Sequence, residues 1–197
     1  QIIHLAGQSS VAKSWKDPDS TMRVNVEGTR ILLDAVRNTK LNSRILIVTS
    51  AEIYGVPNEV PIKESHLLNP TSPYGRSRLE QEKLINDYKE RFNMDIVVSR
   101  SFPHTGPHQL NNFVCSSFAY QIAMIEAGKQ KPILFVGNLE AERDFTDVRD
   151  VIRAYYLLIN TDSKGVYNVC SGQGIKVLDV LKTLLKNSKV KIDVEQD

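Results

Sequence analysis

The chain has 197 residues, of which 41% are apolar and 24% charged, and its 25 Lys and Arg against 23 Asp and Glu leave a formal charge of +2. That length buries a real core and fits one compact domain or a little more, while the composition excludes disorder, collagen-like repeats and coiled coil. Basic residues spread along the chain exclude a nucleic-acid or membrane-surface patch, and no apolar run approaches the roughly 18 residues that span a bilayer.

In chain order, Ile2 to Ala6 is a short apolar run that reads as a strand. It has no starting Met, charged n-region or cleavage site, so the chain is expected to be a piece of a longer protein, cut at both ends. A polar loop comes next, then a helix from Ser20 to Thr39 with Met22, Val26, Leu32, Leu33 and Val36 on one stripe. The β-branched run Arg44 to Val48 predicts a strand buried on both faces, and Val56 to Pro73 a loop. A helix from Tyr74 to Phe92, a strand over Asp95 to Ser99 and a proline-containing loop from Ser101 to Gln109 come next. Phe113 to Gly128 reads as a helix ended by glycine, Ile133 to Val136 as strand, Asp147 to Asn160 as helix, Val166 to Val169 as strand and Ile175 to Asn187 as helix. Val190 to Val194 alternates like a last strand. Strands separated by such helices predict βαβ crossovers and a mainly parallel α/β sheet.

Ligands of such sheets bind beyond the carboxyl ends of the strands, which here means just after Ala6, Val48, Ser99 and Val136. After Val48 stand Ser50 and Glu52, a hydroxyl and a carboxylate. Tyr74 and Arg78, at i and i+4, share one face of the long helix. A phenol is a poor proton donor at neutral pH, and a cation one turn away stabilises its phenolate, so the pair suits proton transfer to or from a carbinol oxygen held by Ser50. His104 and His108 also stand at i+4, but Pro103, Gly106 and Pro107 forbid a regular helix there and no metal site is expected. His4 and Asn25 are expected to support packing and loop backbone. Cys115 and Cys170, far apart and without CxxC spacing, predict neither disulfide nor zinc site and point to a cytoplasmic protein.

Five segments, His4 to Val11, Asn25 to Thr29, Thr49 to Gly55, Ser72 to Arg78 and Arg100 to Pro107, resemble the extended short-chain dehydrogenase/reductase (NAD-dependent epimerase/dehydratase) family. Val136 to Asp150 and Gly165 to Gly172 are similar to its branch acting on GDP-sugars. The resemblance implies a Rossmann-like doubly wound parallel sheet, truncated at its N-terminal strands, with part of a smaller C-terminal substrate domain. Residues 1–110 would be the C-terminal part of the NAD(P)-binding domain, and 111–197 a mixed segment of substrate-binding elements and a late Rossmann strand. It makes Ser50, Glu52, Tyr74 and Arg78 catalytic. It assigns NADP(H) or NAD(H) to Leu5, Ala6, Gly7, Tyr74, Arg78, Phe102 and His104, and a GDP-sugar to Ser9, Glu52, Phe113, Val136, Asn138 and Arg143. Arg143 would clamp the diphosphate with its guanidinium fork; the structural alternative is a salt bridge to Asp144 or Asp147.

Ala51 stands where dehydratases similar to this chain use an acidic or hydroxyl side chain to protonate the leaving hydroxyl, which favours reduction of a GDP-4-keto-6-deoxy-mannose to GDP-rhamnose over 4,6-dehydration of GDP-mannose; a related epimerisation is a further alternative. Three residues depart from the family pattern: Arg78 for Lys, Pro103 for Asn and Tyr120 for Lys. The family's glycine-rich turn, which holds the cofactor pyrophosphate, is absent from these residues. Those departures raise a reading of another class, a non-catalytic relative that binds a nucleotide sugar. A homodimer is expected through helices 20–39 and 74–92.

Overall fold

The computed structural model describes residues 1–196. In chain order the elements are β1 (Ile2–His4), α1 (Val11–Lys16), α2 (Pro18–Met22), a π-helical turn (Arg23–Glu27), α3 (Gly28–Thr39), β2 (Ile45–Ser50), a 3-10 turn (Ala51–Tyr54), α4 (Pro73–Phe92), β3 (Ile96–Ser101), β4 (His104–Thr105), α5 (Val114–Glu126), β5 (Ile133–Val136), β6 (Glu142–Asp144), β7 (Thr146–Asp147), α6 (Val148–Asn160), β8 (Gly165–Val169), β9 (Gly174–Lys176), α7 (Val177–Lys186) and β10 (Asp193–Gln196). They form two compact units, one of residues 1–102 and 150–169, the other of residues 103–149 and 170–196.

The first unit is built on a four-stranded parallel sheet in the order β1-β2-β3-β8. The side-chain period of two sends Ile45, Ile47, Ile96 and Val98 to one face, where they pack on Leu33 and Val36 of α3 and on Leu84, Ile85 and Tyr88 of α4. Leu46 and Val97 face the other way, onto Val151, Tyr155, Leu158 and Ile159 of α6. Helices on both faces make this the expected doubly wound α/β sheet of Rossmann type, and explain why β2 opens on four apolar residues and β3 on three. The α4 helix starts where it should: Ser72 accepts the Gly75 N–H at 3.0 Å as N-cap and Pro73 takes the first helical position.

The expected single helix of residues 20–39 is interrupted. A π-helical turn at Arg23–Glu27 adds a residue to one turn and rotates α3 relative to α2, so Asn25 and Val26 are buried while Met22 is exposed, off the stripe predicted for it. Residues 11–16, expected as loop, form α1, whose N-cap is Ser10. The first strand ends at His4 rather than Ala6, and the last spans 193–196 rather than 190–194, because Asp193 enters register opposite Ile133.

One buried ion pair ties the sheet to its loops. Arg100 in β3 meets Glu82 of α4 at 2.7 Å, both side chains nearly inaccessible, and Thr49 Oγ donates to the same carboxylate at 2.7 Å. Burial opposes the charge on Arg100, and Glu82 reverses that, holding its pKa above the usual value. The guanidinium also donates to the Tyr54 hydroxyl and to Glu64 O, each at 2.9 Å. Asn168 completes the clasp on loop 55–72, accepting from Tyr54 Oη at 2.7 Å, donating to Ile62 O at 2.9 Å and giving its backbone N–H to Glu64.

The second unit packs Phe118, Ile122 and Ile125 of α5 and Val177 and Leu181 of α7 on Leu134 and Val136 of β5. Its strand pairs are short: β5 with β10 and β4 with β7 in parallel, β6 with β9 antiparallel. Strands of two or three residues carry no period, so β4, β6, β7 and β9 have no signature in the sequence; Ile175, expected to open the last helix, lies in β9, and Asp147, expected to open the preceding one, in β7.

Replacing Glu82 by Leu leaves the Arg100 charge buried without its partner, and urea unfolding should register a loss of about 3–5 kcal/mol. The Glu82→Leu, Arg100→Met pair, which removes both charges, should cost clearly less than the single change.

Candidate active site

At the carboxyl end of β2, Ser50 caps the 3-10 turn, its hydroxyl accepting the Glu52 N–H at 3.2 Å. Helix α4 comes hard against that turn: a Cβ on Gly75 would lie 2.6 Å from Glu52 O, so only glycine admits this approach. Tyr74, beside it in the first turn of α4, is 7% exposed, and its backbone N–H donates to Ser14 Oγ at 3.1 Å. Its phenolic hydroxyl makes no hydrogen bond among the described residues and is available to a ligand. The Glu52 carboxylate, half-buried, likewise has no ion-pair partner among them.

Arg78, one turn on, is 5% exposed, and its Cζ lies 5.2 Å from the centroid of the Tyr74 ring. Its guanidinium donates to Gln81 Oε1 at 2.9 Å, Gln8 O at 3.3 Å and Val48 O at 3.4 Å, while Nε has no partner. Leu5, Ala6 and Gly7 come directly after β1 and are exposed. A Cβ on Gly7 would fall 2.9 Å from Arg78 Nη2 and 3.0 Å from Asn25 Oδ1, so the backbone here lies against the cation. Asn25 braces the same loop, accepting Gln8 N–H at 2.8 Å and donating to Gln8 O at 3.2 Å. This is the loop-supporting role expected of it. His4 reaches Thr29 Oγ at 3.1 Å; burial, then the charge of Arg78, lowers its pKa and keeps the ring neutral. Ser9 is exposed on the same loop.

Phe102 leaves β3, its N–H bonded to Val169 O at 2.9 Å and its ring tilted against Tyr54 at 6.5 Å. Tyr155 of α6 does more than pack. It is buried, its hydroxyl 2.6 Å from Ser101 Oγ, and burial raises its pKa. Tyr156 and Trp15 are exposed.

In the second unit, Phe113, Val136, Asn138 and Arg143 come together around one cavity of about 420 Å³, with Phe135 and Ser117 among its other walls. Arg143 is exposed and donates to Glu142 O at 2.8 Å. The salt bridge weighed for it is not formed. Asp147 pairs with Arg149 at 2.6 Å, which lowers its pKa to about 2, and Asp144 is engaged by Ser171 N, Ser171 Oγ and Gly172 N. His104 lies in β4, opposite Thr146. No group of three metal-ligating side chains occurs among the described residues.

Gln8 and Gln81 join the site without having been expected there. Gln81 had a signal, since i+3 from Arg78 lies on the same helix face; Gln8 had none, because only the fold brings it to that place.

The whole chain, residues 1–197, matches the profile of the GDP-mannose 4,6 dehydratase family. It is 37% identical over 199 residues to a GDP-6-deoxy-D-mannose reductase of Pseudomonas aeruginosa, covering 100% of this chain and 66% of the relative. It is 30% identical over 175 residues to the human GDP-mannose 4,6 dehydratase, with 88% of this chain and 47% of that one covered. Among solved structures, RMD from Pseudomonas aeruginosa complexed with NADPH superposes with a TM-score of 0.94 at 37% identity, over 99% of this chain and 67% of that one. A UDP-N-acetylglucosamine 4-epimerase from Methanobrevibacter ruminantium M1 in complex with UDP-N-acetylmuramic acid gives 0.85 at 26% identity, over 99% and 63%. The chain thus spans at most about two thirds of the length of these relatives, and by the match along its entire length it belongs to the GDP-mannose 4,6-dehydratase family of extended short-chain dehydrogenases/reductases.

Proposed function

We propose that the protein containing this chain is an NAD(P)-dependent nucleotide-sugar oxidoreductase that reduces GDP-4-keto-6-deoxy-D-mannose to GDP-D-rhamnose. The observation that carries this is the buried Tyr74–Arg78 pair, with its cation 5.2 Å from the phenol ring. The likeness to a GDP-6-deoxy-D-mannose reductase and to an NADPH-bound structure supports the substrate and favours NADPH.

The residues present fit the nicotinamide end of such a cofactor: Arg78 keeps an unpartnered buried Nε–H, and Gly7 leaves open the backbone surface that a Cβ would fill. Leu5, Ala6, Gly7 and Arg78 in the first unit, Phe102 at its edge and His104 in the second are assigned to it. When bound, the cofactor supplies hydride to C4 of the sugar. Tyr74 gives its proton to the C4 oxygen and Ser50 donates a hydrogen bond to that oxygen; Arg78 stabilises the phenolate left behind. Glu52 and Ser9 contact the sugar. Phe113, Val136 and Asn138 hold the guanosine end, and Arg143 neutralises the diphosphate. Ala51 has no proton to give a leaving hydroxyl, which favours reduction over dehydration.

The protein is assigned to the cytoplasm, on the ground that Cys115 and Cys170 lie far apart in sequence without CxxC spacing; cell fractionation tests this. It is assigned a homodimer through residues 20–39 and 74–92, where Val24 and Ile31 are exposed.

Tyr74→Phe should abolish NADPH oxidation in the presence of GDP-4-keto-6-deoxy-D-mannose while leaving nucleotide-sugar binding intact; consumption of GDP-mannose by the unsubstituted protein instead would make it the dehydratase. Arg143→Ala should raise the KM for the GDP-sugar about tenfold to a hundredfold with little change in kcat, the loss of one charge-assisted contact to phosphate. In sedimentation, Ile31→Asp should convert a dimer to monomer, and a monomeric parent would remove the assignment.

A further inference from the structure

Arg78 carries its charge into the interior without a carboxylate: no acidic side chain comes within ion-pair distance of it among the described residues, and all three acceptors of its guanidinium are neutral. A buried cation of this kind is oriented only as firmly as its acceptors hold it. Val48 O at 3.4 Å and Gln8 O at 3.3 Å are long contacts, and Gln81 Oε1 at 2.9 Å is the one short bond.

Gln81 is itself fully buried, and its amide has no freedom to flip. Its Nε2 donates to Thr29 Oγ at 2.8 Å. Thr29 has already given its hydroxyl proton to Asn25 O at 2.8 Å, so its oxygen can only accept, from Gln81 and from neutral His4 at 3.1 Å. The carbonyl end of the Gln81 amide is therefore committed to Arg78.

We infer that Gln81 is a positioning residue: it fixes the plane of the Arg78 guanidinium, and so the direction of the donors Arg78 retains for a ligand. An arginine needs this more than a lysine would, since its planar fork must be aimed, whereas an ammonium is compact and rotatable and ends an atom short of Nη1. The ligand in question is the cofactor, so this inference rests on the assignment of Arg78 made above.

The test has one arm that needs no turnover. In ¹⁵N-arginine-labelled chain, the Nη–H signals of Arg78 should be resolved and slow to exchange. In Gln81→Met, which keeps the core volume, they should merge with those of the exposed arginines; Gln81→Glu, which keeps an acceptor oxygen, should retain them. Arg78 signals unchanged in Gln81→Met overturn the inference. The second arm measures NADPH oxidation in the protein that contains this chain. Gln81→Met should raise the KM for NADPH about tenfold, the effect of one hydrogen bond to a charged group. Made in an Arg78→Lys background, the same change should shift it by less than about twofold, because the two substitutions share one interaction. An equal effect in both backgrounds also overturns it. Absence of any NADPH oxidation by the unsubstituted protein would refute the cofactor assignment, and the labelled-arginine arm would still decide the role of Gln81.

Discussion

The pairing of Arg100 with Glu82 is the constraint on which the rest of the first unit depends. A parallel sheet covered by helices on both faces leaves no water for a polar side chain inside it, and β3 carries an arginine there, 5% exposed. Glu82 reaches it from α4, which fastens that helix to the sheet. The remaining donors of Arg100 go to Tyr54 and Glu64, which fastens the loop after the 3-10 turn. Ser50, Glu52, Tyr74 and Arg78 all hang from those two fastened pieces, so one ion pair sets the frame in which the reacting groups stand.

Arg78 meets the same difficulty and resolves it in the opposite way. Arg100 has a carboxylate and five short bonds to protein; Arg78 has neutral acceptors, two of them long, and an Nε with no partner. A carboxylate next to Arg78 would cancel the charge that a phenolate at Tyr74 or a ligand oxygen needs. Leaving the cation under-compensated costs stability and keeps its field available, which is the usual compromise of a functional site. The π-helical turn serves the same place: by rotating Asn25 inward it braces the Gln8 backbone, whose carbonyl is one of the Arg78 acceptors.

The second unit handles its charges at the surface. Asp144 binds the backbone of residues 171 and 172, Asp147 binds Arg149, and both leave Arg143 without an ion-pair partner among the described residues, beside a cavity lined by Phe113, Val136 and Asn138. An exposed guanidinium with its charge free, next to a half-apolar cavity, is what a base joined to a diphosphate requires.

What the residues determined by themselves was the alternation of strand and helix, and the chemistry at strand ends. β2 announces burial on both faces by its apolar run, and Tyr74 and Arg78 share a face because a helix has 3.6 residues per turn. The match of the Ser50, Tyr74 and Arg100 segments to one family made the doubly wound sheet legible before any coordinate. Tertiary structure alone decided the rest. The π-helical turn at residues 23–27 has no period to reveal it, and strands such as β6 and β9 are too short to show one. Gln8 belongs to the surroundings of Arg78 only through a contact spanning 70 residues of chain. Local periodicity reports the face on which a residue stands; which distant residue faces it is settled by packing, where buried polar groups must find one another because water is not there to take their place.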